Sequence, residues 1–140
     1  VENSFQFSLE KDAIDAVEKF QSSMDVFAFH GGITAIWGFI RRMNKYIDVT
    51  SPWELAKKKS AEKQLEIVIY NLIEGLRVVS GLIYPVMPDT SVAMQKHLGL
   101  DADKVLKGEF NYLDNLKKWN ITKPGTKLLK SIRLFPRIET

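Results

Sequence analysis

The sequence contains no cysteine, which removes disulfides, thiolate nucleophiles and Cys-ligated zinc from consideration. Histidine is nearly as scarce: His30 and His97 are the only two, and neither has a second histidine or a carboxylate at a recognisable metal-ligand spacing. The 8 glycines form no phosphate-cradling loop, and no nucleophile motif, internal repeat or low-complexity tract is present. These absences assign the chain no catalytic residue, no metal and no cofactor of its own.

Long apolar runs are missing too. The most apolar stretch, LEIVIYNLIEGLRVVSGLIYPVM, is interrupted by Glu66, Glu74 and Arg77, short of the about 18 uninterrupted residues that mark a membrane span. The opening VENSFQFSLEKD is charged and does not read as a signal peptide. A large excess of one charge is also lacking: 20 Lys+Arg against 17 Asp+Glu give a formal charge of +3, which permits contact with a polyanion without requiring it. The expectation is a soluble, cytoplasmic protein that makes no membrane contact.

What is present is helical periodicity in a chain of 140 residues, 45% hydrophobic. A domain of that size buries about 68–70% of its unfolded surface, enough for a core. Leu9, Ala13, Ile14, Val17, Phe20 and Met24 mark a first amphipathic helix. Val26, Phe29, Ile33, Ile36, Trp37, Ile40 and Ile47 mark a second, with Arg41, Arg42 and Lys45 on its outer face and Trp37 expected in the core. A third runs from Leu65 to Ile83, apolar over so much of its circumference that it is expected to be central, with Pro85 and Pro88 stopping it. Asp89 or Thr90 caps a fourth helix that Gly99 closes. Beyond Leu100 the pattern supports a short helix with loops and then an extended basic tail turning at Pro124-Gly125. The fold class read from this is all-α, an up-and-down helical bundle over 1–100 with an irregular C-terminal extension over 101–140.

One corner stands apart. Ser51-Pro52-Trp53-Glu54 has the composition of a helix start: the Ser51 hydroxyl can accept the Glu54 amide hydrogen, Glu54 can reach back, and Pro52 suits the first helical position. Trp53 is then held on a preset backbone at the end of the bundle. An aromatic plane so placed suits base stacking; capping the end of the core is the competing explanation.

AIWGFIRRMNKYIDVTSPWELAK, VIYNLIEGLRVVSGLIYPVMP and the late LFPRIE together resemble the anticodon-binding domain of bacterial-type methionyl-tRNA synthetases, which are class I synthetases. The resemblance implies that Trp53 stacks on the wobble cytosine of a CAU anticodon, that Pro52 shapes the loop presenting it, and that Asn44 and Asp48 support the corner. It implies methionine tRNA, through its anticodon stem-loop, as partner. It also implies a catalytic domain in the same parent chain, against which the extension can pack, that binds ATP and methionine. Read from the residues alone, Asn44 is expected to be partly buried and to bond backbone groups, and Asp48 to accept amide hydrogens of the following loop. Arg41, Arg42, Lys45 and Lys57 are candidate phosphate contacts, although most such basic runs are simply solvated helix faces. Trp119 is expected to pack on the bundle. A helical protein-interaction module with Trp53 as its anchor is the alternative function.

Overall fold

In the computed structural model, residues 8–103, 112–130 and 134–138 are described. Ser8 caps the first helix, α1 (Leu9–Asp25), its Oγ accepting the Lys11 amide hydrogen at 3.3 Å. The chain reverses at Val26-Phe27-Ala28, where Phe27 takes a left-handed φ of 58°, and enters α2 (Phe29–Thr50). The second helix therefore begins three residues later than its apolar stripe, because the turn consumes Val26 to Ala28. A short α3 (Pro52–Ala56) and a 3-10 turn (Lys59–Ala61) lead into α4 (Glu62–Leu82), followed by α5 (Pro88–His97) and α6 (Tyr112–Leu116).

The described residues contain helices and no strand, the all-α bundle that the 3.6-residue periodicity requires. α1 and α2 form an antiparallel hairpin sealed by Leu9, Ala13, Val17 and Phe20 on one side and Ile36, Phe39, Met43 and Tyr46 on the other. Arg42 bridges back to Asp12 at 3.1 Å, so the start of α1 lies beside the end of α2. α4 closes the core with Val68, Val78, Val79 and Leu82. Its other apolar positions do not all follow: Ile67, Ile69 and Leu76 are exposed, so α4 is central through one arc only.

Pro88 does not merely end a helix. It occupies the first turn of α5, where its missing amide hydrogen would have had no partner, and neither Asp89 nor Thr90 caps the helix. Gly99 closes α5 as expected, with φ 73° and the Leu100 amide reaching back to the Gln95 carbonyl at 2.9 Å. The Pro124-Gly125 turn also forms, with Gly125 at φ 81°, and Trp119 packs against the core. Most of the expected short helix, residues 104–111, lies outside the described residues.

Of the three charged interruptions of the apolar stretch, Glu66 is exposed, while the other two are the most buried charges of α4. Glu74 and Arg77 have side-chain exposures of 0% and 6%. Arg77 donates Nε and Nη2 to the Glu74 carboxylate at 3.2 Å each. The same carboxylate accepts the main-chain amides of Ile121 at 3.1 Å and Thr122 at 2.9 Å, while Arg77 also donates to the Lys118 carbonyl. Burial would raise the Glu74 pKa, but hydrogen bonds from Thr122 and Arg77, together with the guanidinium charge, outweigh it and hold the carboxyl below its ordinary value. Tyr70 adds a bond to the Thr122 carbonyl at 2.8 Å. Nearby, Gly81 gives Leu116 room: a Cβ there would stand 2.6 Å from Leu116 Cδ2.

Candidate nucleic-acid interface

At the end of α2 the backbone turns sharply at Ser51, whose φ of 44° and ψ of 62° are left-handed. This conformation corrects the expected capping box. Ser51 is first the C-terminal cap of α2: its amide donates to the Ile47 carbonyl at 2.9 Å and its hydroxyl to the Asp48 carbonyl at 3.0 Å. The hydroxyl is thus committed backwards. Glu54 donates its amide to the Ser51 carbonyl at 2.8 Å instead, and its carboxylate pairs forward with Lys57 at 2.8 Å. Pro52 does occupy the first helical turn.

α3 is fastened by one side. Leu55 packs against the core, and a residue two positions earlier lies about 200° around a helix from it. That residue is Trp53, which is 51% exposed. The indole is therefore neither a core plug nor a free-hanging side chain, but a ring on a five-residue helix anchored from the opposite face.

Beneath it, the residues that brace the corner differ from those expected. Thr50 is buried and donates its hydroxyl to the Tyr46 carbonyl at 2.7 Å. Buried Tyr46 accepts Asn71 Nδ2 at 3.1 Å on its phenolic oxygen, tying the end of α2 to α4. Sequence reasoning missed this set; the only signal was a polar position on each of two otherwise apolar stripes. Asn44, expected to be partly buried and bonded, is exposed, because its position on α2 faces away from α1. Asp48 is exposed as well, and what it supplies is its main-chain carbonyl to Ser51 rather than its carboxylate to the loop.

Arg41, Asn44, Lys45 and Asp48 follow the i, i+3, i+4, i+7 pattern of one helix face and all four are exposed. Arg42 is offset from them and turned into the α1 seam, where Asp12 engages it. Lys57 lies one turn after Trp53, and its pair with Glu54 is open to solvent, an interaction worth about 0–1 kcal/mol that a stronger anion can replace. Lys58 and Lys59 are exposed beside it. The corner thus carries an exposed aromatic ring together with exposed polar and cationic side chains. Among the described residues no group of three or more His, Asp or Glu side chains is placed to hold a metal ion, and no helix is long and apolar enough to cross a membrane.

The helical arrangement is that of a known synthetase domain. It superposes on the structure of free Mycobacterium tuberculosis methionyl-tRNA synthetase with a TM-score of 0.80 at 26% identity, covering 99% of this chain and 28% of that one. The family described as the anticodon binding domain of methionyl tRNA ligase matches residues 3–139, and the chain belongs to it. Among curated relatives, the Fusobacterium nucleatum methionine–tRNA ligase is 40% identical over 132 residues, 94% of this chain and 20% of its own length. The Bacillus subtilis enzyme is 35% identical, over 96% of this chain and 19% of its own. The chain therefore spans about a fifth of the length of these relatives.

Proposed function

We propose that this domain reads the CAU anticodon of methionine tRNA for a parent methionine–tRNA ligase, with Trp53 as the stacking surface for the wobble cytosine. The observation that carries this reading is the half-exposed indole anchored by Leu55 at the tip of the bundle. Pro52 sets the approach of α3. Asn44 and Asp48 stand on the face that leads to the ring, available as hydrogen-bonding groups for a nucleotide. Arg41, Lys45 and Lys57 follow the backbone phosphates, and Arg42 contributes from the seam at the expense of its Asp12 pair.

The parent acts in the cytoplasm, and its methionine activation with ATP and transfer to tRNA belong to the catalytic domain of the same polypeptide. We assign residues 1–100 to the reading bundle and residues 101–140 to a C-terminal extension that packs on the bundle or on the catalytic domain of the parent. Membership of an anticodon-binding family favours this over Trp53 as an anchor for a protein partner.

A titration of the complete parent enzyme with a CAU anticodon stem-loop, followed by anisotropy, tests the reading. Trp53→Ala is expected to weaken binding by about 1–3 kcal/mol, the contribution of one stacked base. Affinity should also fall as salt rises. Unchanged affinity in a variant that still melts cooperatively would overturn the assignment of Trp53.

A further inference from the structure

The basic tail takes no part in the indole corner. From Asn115 to Ile138 the chain carries seven of its 20 Lys+Arg and none of its 17 Asp+Glu, which leaves 13 cations against all 17 carboxylates in the remainder. The formal charge of +3 therefore arises in this segment, and the rest of the chain is acidic. Lys117 reaches Asp114 at 3.9 Å and Lys118 donates to the Asn115 side chain at 3.2 Å. Among the described residues, Lys123, Lys127 and Lys130 have no carboxylate partner, and all three are exposed.

The backbone that bears these lysines is held in place. Glu74 binds the amides of Ile121 and Thr122 just before Lys123. The Pro124-Gly125 turn closes through Thr126, whose amide and hydroxyl both donate to the Lys123 carbonyl, at 3.2 and 2.6 Å. Beyond the turn the Leu129 amide donates to the His97 carbonyl at 3.0 Å, and the Lys127 carbonyl passes so close to Gly99 that a Cβ there would stand 2.9 Å from it. The tail is thus bonded to α4 on one side of the turn and to the end of α5 on the other, so a ligand has only side chains to order. Asn120, exposed in the same notch as Lys123, adds a hydrogen-bonding group for a phosphate or ribose oxygen.

A surface of one sign suits a partner that repeats the opposite sign, as a phosphate backbone does, whereas a protein face offers both signs. The lysines also stand away from the indole. Glu74, where the tail is bonded, lies 12 residues beyond Glu62 at the start of α4, about 18 Å along the helix axis, whereas three stacked nucleotides span about 10 Å. We propose that Lys123, Lys127 and Lys130 bind backbone phosphates of the tRNA in the helical stem that adjoins its anticodon loop, outside the three bases being read. Contacts of this kind carry no sequence information; they set how the stem lies along the bundle. The inference rests on the parent's binding of methionine tRNA and not on the role of Trp53.

Salt titrations of the complete parent test it, with labelled methionine tRNA and with the same tRNA carrying an unrelated anticodon. Lys123→Gln, Lys127→Gln and Lys130→Gln are each expected to lower the slope of log affinity against log salt by about 0.7–0.9, and the triple variant by about 2–3. Both tRNAs should lose affinity by the same factor. Replacing the three lysines by arginine should keep the slope, which a loss through altered packing would not do. Trp53→Ala, measured alongside, should weaken the CAU tRNA alone. An unchanged slope in the glutamine variants, a slope that falls as far with arginine, or a loss confined to the CAU tRNA would overturn the inference. Equal binding of the two tRNAs that Trp53→Ala leaves unchanged would instead overturn the anticodon reading, and the glutamine variants would still decide the role of the tail.

Discussion

The Trp53 corner and the Glu74–Arg77 cluster invert the usual distribution of side chains. At the corner a large apolar ring is 51% exposed, while in the cluster a carboxylate and a guanidinium are almost wholly withdrawn from water. The difference lies in what each has to satisfy. Burying an ion is tolerable only with its lone pairs and protons paired, and Glu74 has the guanidinium and two tail amides for that purpose. An indole needs no such completion, and its open face leaves a surface free for another flat ring. Internal polar contacts hold the chain's own tail; the outer aromatic ring stays open to solvent.

Substitution of Glu74 should break this contrast most strongly. Glu74→Ala leaves Arg77 and the amides of Ile121 and Thr122 without their acceptor, and removing one partner of a buried pair costs about 3–5 kcal/mol. Thermal melting should show a fall of more than about 10 °C. A midpoint within a degree or two of the parent sequence would mean that the cluster is not a structural hub.

Gly81→Ala tests the same union of tail and bundle sterically. The new Cβ would stand 2.6 Å from Leu116 Cδ2, so the buried Leu116 side chain must give way, at about 1–3 kcal/mol as for other overpacked cores. Chemical denaturation should register that loss, and Gly81→Ser should be no better tolerated.

Acid should act selectively on the cluster. The folded-state pKa of Glu74 is held below its ordinary value, so its contribution is fully present above the unfolded value of about 4.3 and declines as pH falls from there through the folded value. Denaturant midpoints measured below about pH 5 should fall with pH, and Glu74→Gln should flatten that slope at the expense of stability near neutrality. An unaltered acid limb in the variant would show that other carboxylates control it.

The corner should respond differently. Tyr46→Phe removes the bond from Asn71, a loss of about 0.5–1.5 kcal/mol in stability. Because this bond ties the last turns of α2, from which α3 follows, to α4, a weaker stem-loop affinity should accompany it. Smallest of all, Lys57→Ala should alter stability by no more than about 0.5 kcal/mol while reducing the slope of log affinity against log salt by about 0.9 if the lysine neutralises one phosphate.

Much of the fold was legible because amphipathic helices declare themselves locally. The stripe from Leu9 to Phe20 and the breaks at Gly99 and Pro124-Gly125 depend on neighbours three or four residues away, or on a single backbone conformation. The corner was half legible. Pro52 and Trp53 mark a helix start, yet the capping box expected at Ser51 does not form, because the left-handed turn after α2 commits its hydroxyl backwards to the Asp48 carbonyl. Trp37 was misplaced for a related reason: an apolar stripe marks a helix face without deciding which of its residues a neighbouring helix seals, and Trp37 is 55% exposed.

Residue type and near-neighbour spacing were enough for an all-α chain, its helix spacing, its freedom from cysteine, and a proline-held tryptophan at a helix junction. Tertiary structure alone decided that Glu74 grips the amides of Ile121 and Thr122 some 47 and 48 positions away. It also decided that Tyr46 braces the corner through Asn71 and that Trp37 stands exposed. Those outcomes depend on which helix faces meet in space, and a one-dimensional pattern records the faces without recording their meeting.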